Sequence, residues 1–221
     1  MFDDSSRRSK AVQAALVLAQ ERGWNATSLA DIAQRAGLGL ADLRREFKCK
    51  SDILKAFQAE IDAEMLAKAK TTMPEQKARD RVFDMAMTRF EVMGPHKPAL
   101  KRIACDLRCR PGEAAMLFCS GLASQYWMLA GAGIKPDGLG GALRVAGLAA
   151  VYARVFEVWL DDETPGLDRT MAALDRGLKQ GELVLESAGR ACDFVCGFMP
   201  RGWTRRGTSA SAEPAAAGPN R

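Results

Sequence analysis

The chain has 221 residues, of which 48% are hydrophobic and 27% are charged, and its formal net charge at pH 7 is +5. This composition is ordinary for a soluble globular protein, and the length suffices to bury a core without disulfide staples. The basic balance favours an anionic partner, either nucleic acid or a membrane surface, and does not choose between them.

Helical periodicity dominates the chain. Apolar residues recur at spacings of three and four, whereas alternating Val, Ile and Thr runs bounded by hairpin turns are almost absent. The sequence therefore predicts an all-α protein. A first helix is expected over residues 6–22, and Gly23 ends it. Its buried face is predicted to consist of Val12, Ala15, Leu16 and Ala19.

Two short helices separated by a glycine-bearing turn follow. Thr27 or Ser28 supplies the N-cap oxygen of the second helix, and Asp31 is placed to complete a capping box on Ser28. Gly37 permits a tight turn, after which a third helix is expected over residues 40–47. The predicted buried residues are Leu29, Ile32, Ala33 and Ala36, then Leu43 and Phe47. This pattern is typical of a helix-turn-helix, whose second helix can enter the major groove of DNA.

A longer fourth helix is predicted over residues 51–70, before a break at residues 71–74 that we interpret as a domain boundary. Its apolar stripe consists of Ile53, Leu54, Phe57, Ile61 and Met65. Further helices are expected over about 75–93, 98–108, 112–130, 140–160 and 167–191. We predict a helix-turn-helix domain over 1–70, a helical ligand-binding and dimerisation domain over 71–203, and a disordered tail over 204–221.

A specific set of residues, in order and spacing, links residues 1–65 to a known family. They are Ala14-Ala15-Leu16, Gly23-Trp24, Thr27-Ser28, Asp31-Ile32-Ala33, Ala36-Gly37-Leu38, Leu43, Phe47, Lys50 and Leu54. With these residues the chain resembles the tetracycline-repressor (TetR) family of transcriptional regulators. The resemblance implies a homodimer with an N-terminal three-helix DNA reader and a larger helical domain. That domain typically encloses a small-molecule pocket, its last two helices form the dimer interface, and ligand binding releases the operator.

The recognition helix departs from the family pattern at several positions. Gly39 stands where the family usually has Ser or Thr, and Arg44 where it often has an aromatic residue that touches phosphate. Asp42 and Glu46 add negative charge, although Asp can also accept a hydrogen bond from cytosine N4. Leu40 either contacts a thymine methyl or packs on the turn, and the alternative for the basic residues is a solvated helix face. The residues expected to contact DNA are Thr27, Ser28, Gly39, Leu40, Ala41, Asp42, Arg44, Arg45, Lys48 and Lys50.

The larger domain is expected to hold an apolar ligand, because methionine and aromatic side chains fall on helices that would surround a pocket. The alternative is that these side chains form plain core. The candidate pocket residues are Phe83, Met87, Phe90, Met93, Met116, Phe118, Tyr126 and Trp127. Helices 140–160 and 167–191 are expected to form a four-helix dimer interface, or else the core of a monomer.

A second resemblance gives a runner-up function. Residues 144–162, followed by Leu174-Asp175-Arg176, look like ubiquinone-biosynthesis lipid-binding proteins, which share the TetR fold without regulating genes. In that alternative the pocket holds a quinone or isoprenoid lipid and a C-terminal amphipathic helix touches the membrane. The residues of such an anchor would be Phe194, Val195, Phe198, Met199 and Trp203, beside Arg190, Arg201, Arg205 and Arg206.

No catalytic site, metal site or cofactor is predicted. The pairs Cys105/Cys109 and Cys192/Cys196 have spacings that share a helix face, yet metal-binding cysteines more usually form C-x-x-C knuckles, so we expect buried, reduced thiols. His96, the only histidine, lies between prolines in a turn, where we expect a structural role. The polar N-terminus lacks a secretory signal, and the longest apolar run is short for a bilayer span, so a cytoplasmic location is expected.

Overall fold

The computed structural model describes residues 6–69 and 76–198, with side chains as far as residue 184. In these ranges the chain is helical and has no strand, which confirms the predicted fold class. The helices are α1 (Arg7–Arg22), α2 (Leu29–Arg35), α3 (Leu40–Glu46), α4 (Lys50–Lys68), α5 (Ala78–Met93), α6 (Lys97–Arg108), α7 (Pro111–Gly131), α8 (Gly138–Leu160) and α9 (Asp168–Phe198). A 3-10 turn, Gly94–His96, joins α5 to α6.

The chain divides into two compact units, Met1–Leu183 and Val184–Arg221. The first contains α1 to α8 and the beginning of α9, and the second contains the rest of α9. The predicted boundary at residues 71–74, the predicted tail and the side chains of the proposed membrane anchor lie outside the described residues. The predicted division at residue 70 therefore stays a prediction.

Local contacts set the start of α2 and the turn that follows it. Ser28 is the N-cap of α2, and its Oγ accepts a hydrogen bond from the amide of Asp31 at 3.2 Å. The Asp31 carboxylate accepts in return from the Ser28 amide at 2.8 Å, so the predicted capping box is confirmed. Hydrogen bonds from Ser28 lower the pKa of Asp31 to about 2. Gly37 has φ +67°, the left-handed conformation that the tight turn between α2 and α3 requires.

Helix α1 forms the centre of a three-helix unit, because α2 and α3 both pack on it. Most residues expected to be buried from the helical periodicity are buried in this unit, namely Val12, Ala15, Leu16, Ala19, Ile32, Ala33, Leu43 and Phe47. Leu29 and Ala36, also expected to be buried, are only half-buried, because they lie at the two ends of the short helix α2. Trp24, just after α1, is 1% exposed and adds the largest side chain to this core. Burial of these apolar side chains fixes the orientation of α3 on the unit.

Helix α4 joins the three-helix unit to the larger helices. One side of the helix packs on α1, and other residues pack on α5 and α7. The five residues of its predicted stripe, Ile53, Leu54, Phe57, Ile61 and Met65, are all buried. The core continues into α5 and α8, where Phe90 stacks on Tyr152 with ring centroids 4.9 Å apart and lies against Trp159.

A buried ion pair joins four helices of the larger part. Nε of Arg89 on α5 donates to Oδ1 of Asp62 on α4 at 2.9 Å, and the two residues are 4% and 7% exposed. Arg89 also donates to the hydroxyl of Tyr152 on α8 at 2.7 Å and to Oγ of Ser124 on α7 at 3.1 Å. Ser124 in turn donates to Oδ2 of Asp62 at 2.6 Å. Each charge is thus both paired and hydrogen-bonded, as buried charges require.

A second buried carboxylate organises the turn between α8 and α9. Asp162 is 1% exposed and accepts hydrogen bonds from the amides and hydroxyls of Thr164 and Thr170, at distances from 2.6 to 3.2 Å. The ammonium of Lys97 also donates to the Asp162 carbonyl. Burial raises the pKa of Asp162, but the four hydrogen bonds outweigh that effect and hold the pKa far below its usual value.

Helix α8 is apolar on two sides. Among the described residues it is the helix whose length and mean hydropathy of 1.4 would suit a bilayer by composition alone. Its Tyr152, Val155 and Trp159 nevertheless pack in the protein core. The opposite face leaves large and small apolar residues exposed, namely Leu139, Leu143, Ala146, Gly147 and Ala150.

Candidate nucleic-acid interface and apolar cavity

The outer face of α3 is the candidate nucleic-acid interface. Leu43 holds the helix against the three-helix core, and the residues on the opposite side, Leu40, Ala41, Arg44 and Arg45, are exposed. Leu40 is 57% exposed at the start of the helix, where it can reach a partner. Gly39 is the N-cap of α3 and offers no side-chain hydrogen bond. A Cβ at Gly39 would meet only Asp42 Oδ2, at 3.5 Å, so the site has room for a larger residue.

Asp42 does not present an isolated negative charge on this face. Its Oδ1 accepts from Nη1 of Arg7 at 3.1 Å and from Nη1 of Arg45 at 3.2 Å. Arg7 and Arg8 at the start of α1 therefore lie beside α3, and the Arg8 guanidinium stands 4.9 Å from the centre of the Phe47 ring. Two arginines compensate one carboxylate, so the charge of this group is positive.

Two residues expected to contact DNA form hydrogen bonds within the protein. Thr27 is 3% exposed, and its hydroxyl donates to the carbonyl of Gly23 at 2.8 Å. The ammonium of Lys50 donates to the carbonyls of Thr27, at 2.8 Å, and Trp24, and lies 4.4 Å from the centre of the Trp24 ring. Partial burial lowers the pKa of Lys50. Both side chains thus close the loop between α1 and α2, and their expected contact with DNA stays a prediction.

The remaining candidates are accessible. Ser28 is exposed at the start of α2, although its hydroxyl is used in the capping box. Arg44 and Lys48 are exposed, and in the part of the chain that the structure describes neither forms an ion pair. Arg45 is 75% exposed beside Asp42. The cations of α3 and its C-terminal turn are thus positioned to meet a polyanion that lies along this face.

The larger part of the first unit contains a partly open cavity of about 290 Å³. It lies between α4, α5, α6, α7 and α8, and most of its lining is apolar. Large side chains supply part of the wall, and residues with small side chains leave the space open. The small ones are Ala104, Ala114, Gly121, Ala149 and Ala153.

The eight predicted pocket residues are distributed over different places. Met93 and Phe118 line the cavity. Phe83 lines a separate open groove between α5 and α9, and Phe90 is fully buried in the core. Met116, Tyr126 and Trp127 are exposed on α7, and Met87 is half-buried on α5; none of these four lines either space. Because α7 is apolar around most of its circumference, periodicity does not distinguish its inner from its outer face.

One end of the cavity is polar, which sequence reasoning missed. Arg89, Ser124, Gln125 and Tyr152 line it there, and Asp62 pairs with Arg89. A sequence pattern could have revealed the arginine. Arg89 falls within the buried stripe of α5, where its neighbours three and four residues away are apolar, and a charge at such a position needs a buried partner.

The cavity wall and the three-helix unit share helix α6. Leu100, Ile103 and Leu107 of α6 line the cavity. On the same helix, Oδ2 of Asp106 accepts a hydrogen bond from the amide of Asn25, in the loop between α1 and α2, at 2.9 Å. Helix α6 therefore contacts both the cavity and the loop that precedes α2.

The solvent exposure of the cysteine thiols differs from expectation. Cys105 and Cys109, predicted to be buried, are exposed, as are Cys49 and Cys119. The two positions lie on the outer side of α6 and its C-terminal end, whereas Ile103 and Leu107 face inward. The side chains of Cys192 and Cys196 are outside the described residues. Among the described side chains, no group of three or more His, Cys, Asp or Glu residues could hold a metal ion.

Comparisons with known proteins agree with this geometry. Residues 11–57 match the family model described as bacterial regulatory proteins, tetR family. A TetR transcriptional regulator from Nitrosomonas europaea is similar over 81% of this chain and 99% of its own, with 20% identity and a TM-score of 0.63. A TetR transcriptional regulator from Rhodococcus sp. RHA1 is similar over 79% of this chain and 94% of its own (18% identity, TM-score 0.57).

A tetR-family transcriptional regulator from Streptomyces coelicolor is similar over 89% of this chain and 90% of its own, with 16% identity and a TM-score of 0.53. No curated protein matches the chain. The matched residues include α1, α2, α3 and the first part of α4, and the structural similarity extends over the larger helices. The N-terminal helices thus match the family model of tetR-family bacterial regulatory proteins, and the chain as a whole has the fold of the TetR-family regulators to which it is similar.

Proposed function

We propose that the protein is a DNA-binding transcriptional regulator, a repressor that releases its operator when a small apolar molecule occupies the cavity. The observation that carries the DNA-binding part is the outer face of α3. This face presents Leu40, Arg44 and Arg45 on a rigid three-helix unit, and Lys48 follows the helix. A helix so exposed can enter the major groove while its basic residues neutralise phosphates.

A homodimer is part of the proposal. The exposed apolar face of α8 would cost free energy in water, and a second copy related by two-fold symmetry would cover it. Within the chain, α9 packs closely on α8, since a Cβ on Gly177 would come within 2.6 Å of Val151 Cγ1. The two helices proposed for the dimer interface therefore lie side by side. A dimer reads two half-sites with two copies of α3, so the operator is expected to be palindromic.

The ligand response is proposed to act through α6. The cavity contacts Leu100, Ile103 and Leu107, and Asp106 on the same helix binds the Asn25 amide. A ligand that favours one position of α6 would shift the orientation of the three-helix unit toward that state. The two copies of α3 in a dimer would then lose the spacing that the operator requires.

The test is selection of bound sequences from a random pool of duplex DNA, followed by affinity measurements on the selected site at several salt concentrations. Replacing Arg44 and Arg45 by Ala should weaken binding and make the slope of log K against log salt shallower by about one unit per lost phosphate contact. The matched control replaces Lys101 and Lys135, exposed cations away from α3, by Ala. The regulator proposal is rejected if no sequence is enriched, or if the control variant loses as much salt dependence.

The runner-up function remains a lipid-binding protein of the same fold that acts in ubiquinone biosynthesis at the membrane. The apolar lining of the cavity suits either ligand class, whereas the exposed cations of α3 favour DNA. Quinone or isoprenoid lipid in the purified protein would favour the lipid-binding function. So would liposome binding that is lost when residues 190–221 are deleted.

A further inference from the structure

Two exposed thiols form a pair at the C-terminal end of α6. Cys105 lies in the last turn of the helix, and Cys109 is the residue that follows it. Positions four apart on a helix lie on one face, with Cβ atoms about 5–6 Å from each other. The other exposed thiols stand elsewhere, Cys49 at the N-cap of α4 and Cys119 on α7. Solvent access and a second thiol within reach are the features that make a cysteine pair sensitive to oxidants.

A disulfide between these two thiols requires the end of α6 to move. A disulfide holds its two Cβ atoms about 3.5–4.5 Å apart, so neighbours on a helix face must approach by about 1–2 Å. Cys109 lies outside α6, and only Cys109 and Arg110 separate the helix from Pro111 at the start of α7. The last turn of α6 and this short corner are therefore the parts that must shift when the bond forms.

That last turn holds the loop between α1 and α2. Asp106, which lies between the two cysteines in the sequence, accepts a hydrogen bond from the Asn25 amide through Oδ2 at 2.9 Å. The approach is close, because a Cβ on Gly23 would lie 3.0 Å from the same oxygen. Formation of the disulfide would therefore displace the acceptor of the Asn25 amide.

The corner after α6 also acts on Lys50, which closes the same loop from α4. The ammonium of Lys50 donates to the carbonyls of Thr27 and Trp24. Burial lowers the pKa of Lys50, and the negative charges of Glu113 and Asp106 oppose that effect. Movement of the corner would change the field at the ammonium as well as the hydrogen bond to Asp106.

From this geometry we infer that Cys105 and Cys109 are a redox site, which a hydroperoxide oxidises to a disulfide that loosens the loop between α1 and α2. One thiolate attacks an oxygen of the peroxide, the O–O bond breaks, and the sulfur becomes a sulfenic acid. The other oxygen leaves as an alcohol, or as water when the oxidant is hydrogen peroxide. The second sulfur attacks the sulfenic sulfur, the S–S bond forms, and the hydroxyl leaves as water with the proton of the second thiol.

The effect on DNA rests on the proposed regulator function, whereas the thiol chemistry does not. A loosened loop no longer fixes α2, and α3 follows α2 through the tight turn at Gly37. The oxidised protein therefore binds its operator more weakly. A disulfide that has to distort a helix end is also readily reduced, so a dithiol reductant restores the reduced protein and its affinity.

The test treats the reduced full-length protein with hydrogen peroxide and maps its disulfides by mass spectrometry. Trypsin cleaves after Arg108, so a bond between Cys105 and Cys109 joins two peptides that otherwise separate. Amide hydrogen exchange of residues 23–28 should become at least about tenfold faster, because Asn25 loses a charged acceptor. The Kd for the selected DNA should rise at least about fivefold, and dithiothreitol should reverse all three changes.

Four variants identify the pair and the path. Cys105→Ser and Cys109→Ser should each prevent the joined peptide and the change in exchange. Cys49→Ser/Cys119→Ser is the matched control and should respond as wild type does. Asp106→Ala in the reduced state should show the faster exchange of residues 23–28 already, and peroxide should add nothing further. Cys192→Ser/Cys196→Ser, which removes the other pair with this spacing, should leave the response unchanged.

The proposal is overturned if peroxide leaves Cys105 and Cys109 unlinked, or if the disulfide forms without a change in exchange at residues 23–28. A response that survives Cys105→Ser, or that disappears in Cys49→Ser/Cys119→Ser, would also overturn it. So would an unchanged Kd in a protein that binds DNA when reduced. A protein that forms the disulfide and shows the faster exchange, but binds no DNA in either state, would reject the regulator function and leave the redox site standing.

Discussion

Removing one partner of the buried pair Arg89 and Asp62 should lower the free energy of unfolding strongly, whereas removing both partners should lower it less. Arg89→Met removes the donors to Asp62, Tyr152 and Ser124. It leaves the Asp62 carboxylate, whose residue is 7% exposed, with the Ser124 hydroxyl as its remaining donor among the described residues. Loss of one partner of a buried ion pair costs about 3–5 kcal/mol. For a protein of this size that free energy corresponds to a fall in Tm of roughly 6–20 °C.

The double variant Arg89→Met/Asp62→Leu removes both charges and should recover part of that loss. Urea unfolding of the two single variants and the double variant gives the coupling free energy, which we expect to exceed about 2 kcal/mol. Arg35→Met is the matched control, since Arg35 makes two hydrogen bonds with Glu21, at 2.9 and 3.1 Å, with both side chains about half exposed. The control should cost at most about 1 kcal/mol. The reasoning fails if Arg89→Met costs no more than Arg35→Met.

Three further comparisons test other features of the structure. Gly37→Ala should cost about 1 kcal/mol in unfolding free energy because φ is +67°, whereas Gly112→Ala, which is equally free of neighbours but helical, should not destabilise the protein. Asp162→Asn should lower the free energy of unfolding by about 2 kcal/mol at pH 7. Because the pKa of Asp162 is lowered in the folded protein, the difference from wild type in urea unfolding should shrink as pH falls from about 5 toward 2. A difference that stays constant with pH would contradict a role for the ionised carboxylate. Lys50→Met should lower Tm without changing the salt slope of DNA binding, and Lys48→Met should do the reverse.

The features that sequence predicted well depend on neighbours close in the chain. The capping box of Ser28 and Asp31 joins residues three apart, and the buried stripe of α4 follows from the helical repeat. Most predicted helix ends agree with the structure within three residues; α9 continues to Phe198, beyond the expected end at residue 191. Helix periodicity, caps and Gly37 therefore determine the fold class and most helix bounds.

The features that the sequence could not reveal depend on residues far apart in the chain. Lys50 looked like a phosphate contact, but its acceptors lie 26 and 23 residues earlier. The partners of Arg89 lie 27, 35 and 63 residues away, so the polar end of the cavity cannot be recognised from any one segment. The residues next to Lys50 and Arg89 in the sequence do not indicate which carbonyl or carboxylate each side chain will bind. The packing of α4 on α1 determines the partners of Lys50, and the packing of α4, α5, α7 and α8 determines those of Arg89.

The small side chains of the cavity wall have a consequence for how ligand choice can change in evolution. Ala104, Ala114, Ala149 and Ala153 each contribute a single methyl group to the wall of the cavity. A substitution at one of these alanines changes the volume without disturbing a charge, a cap or the recognition helix. Descendants of this chain could therefore acquire new ligands in single mutational steps while they keep the same fold and the same operator.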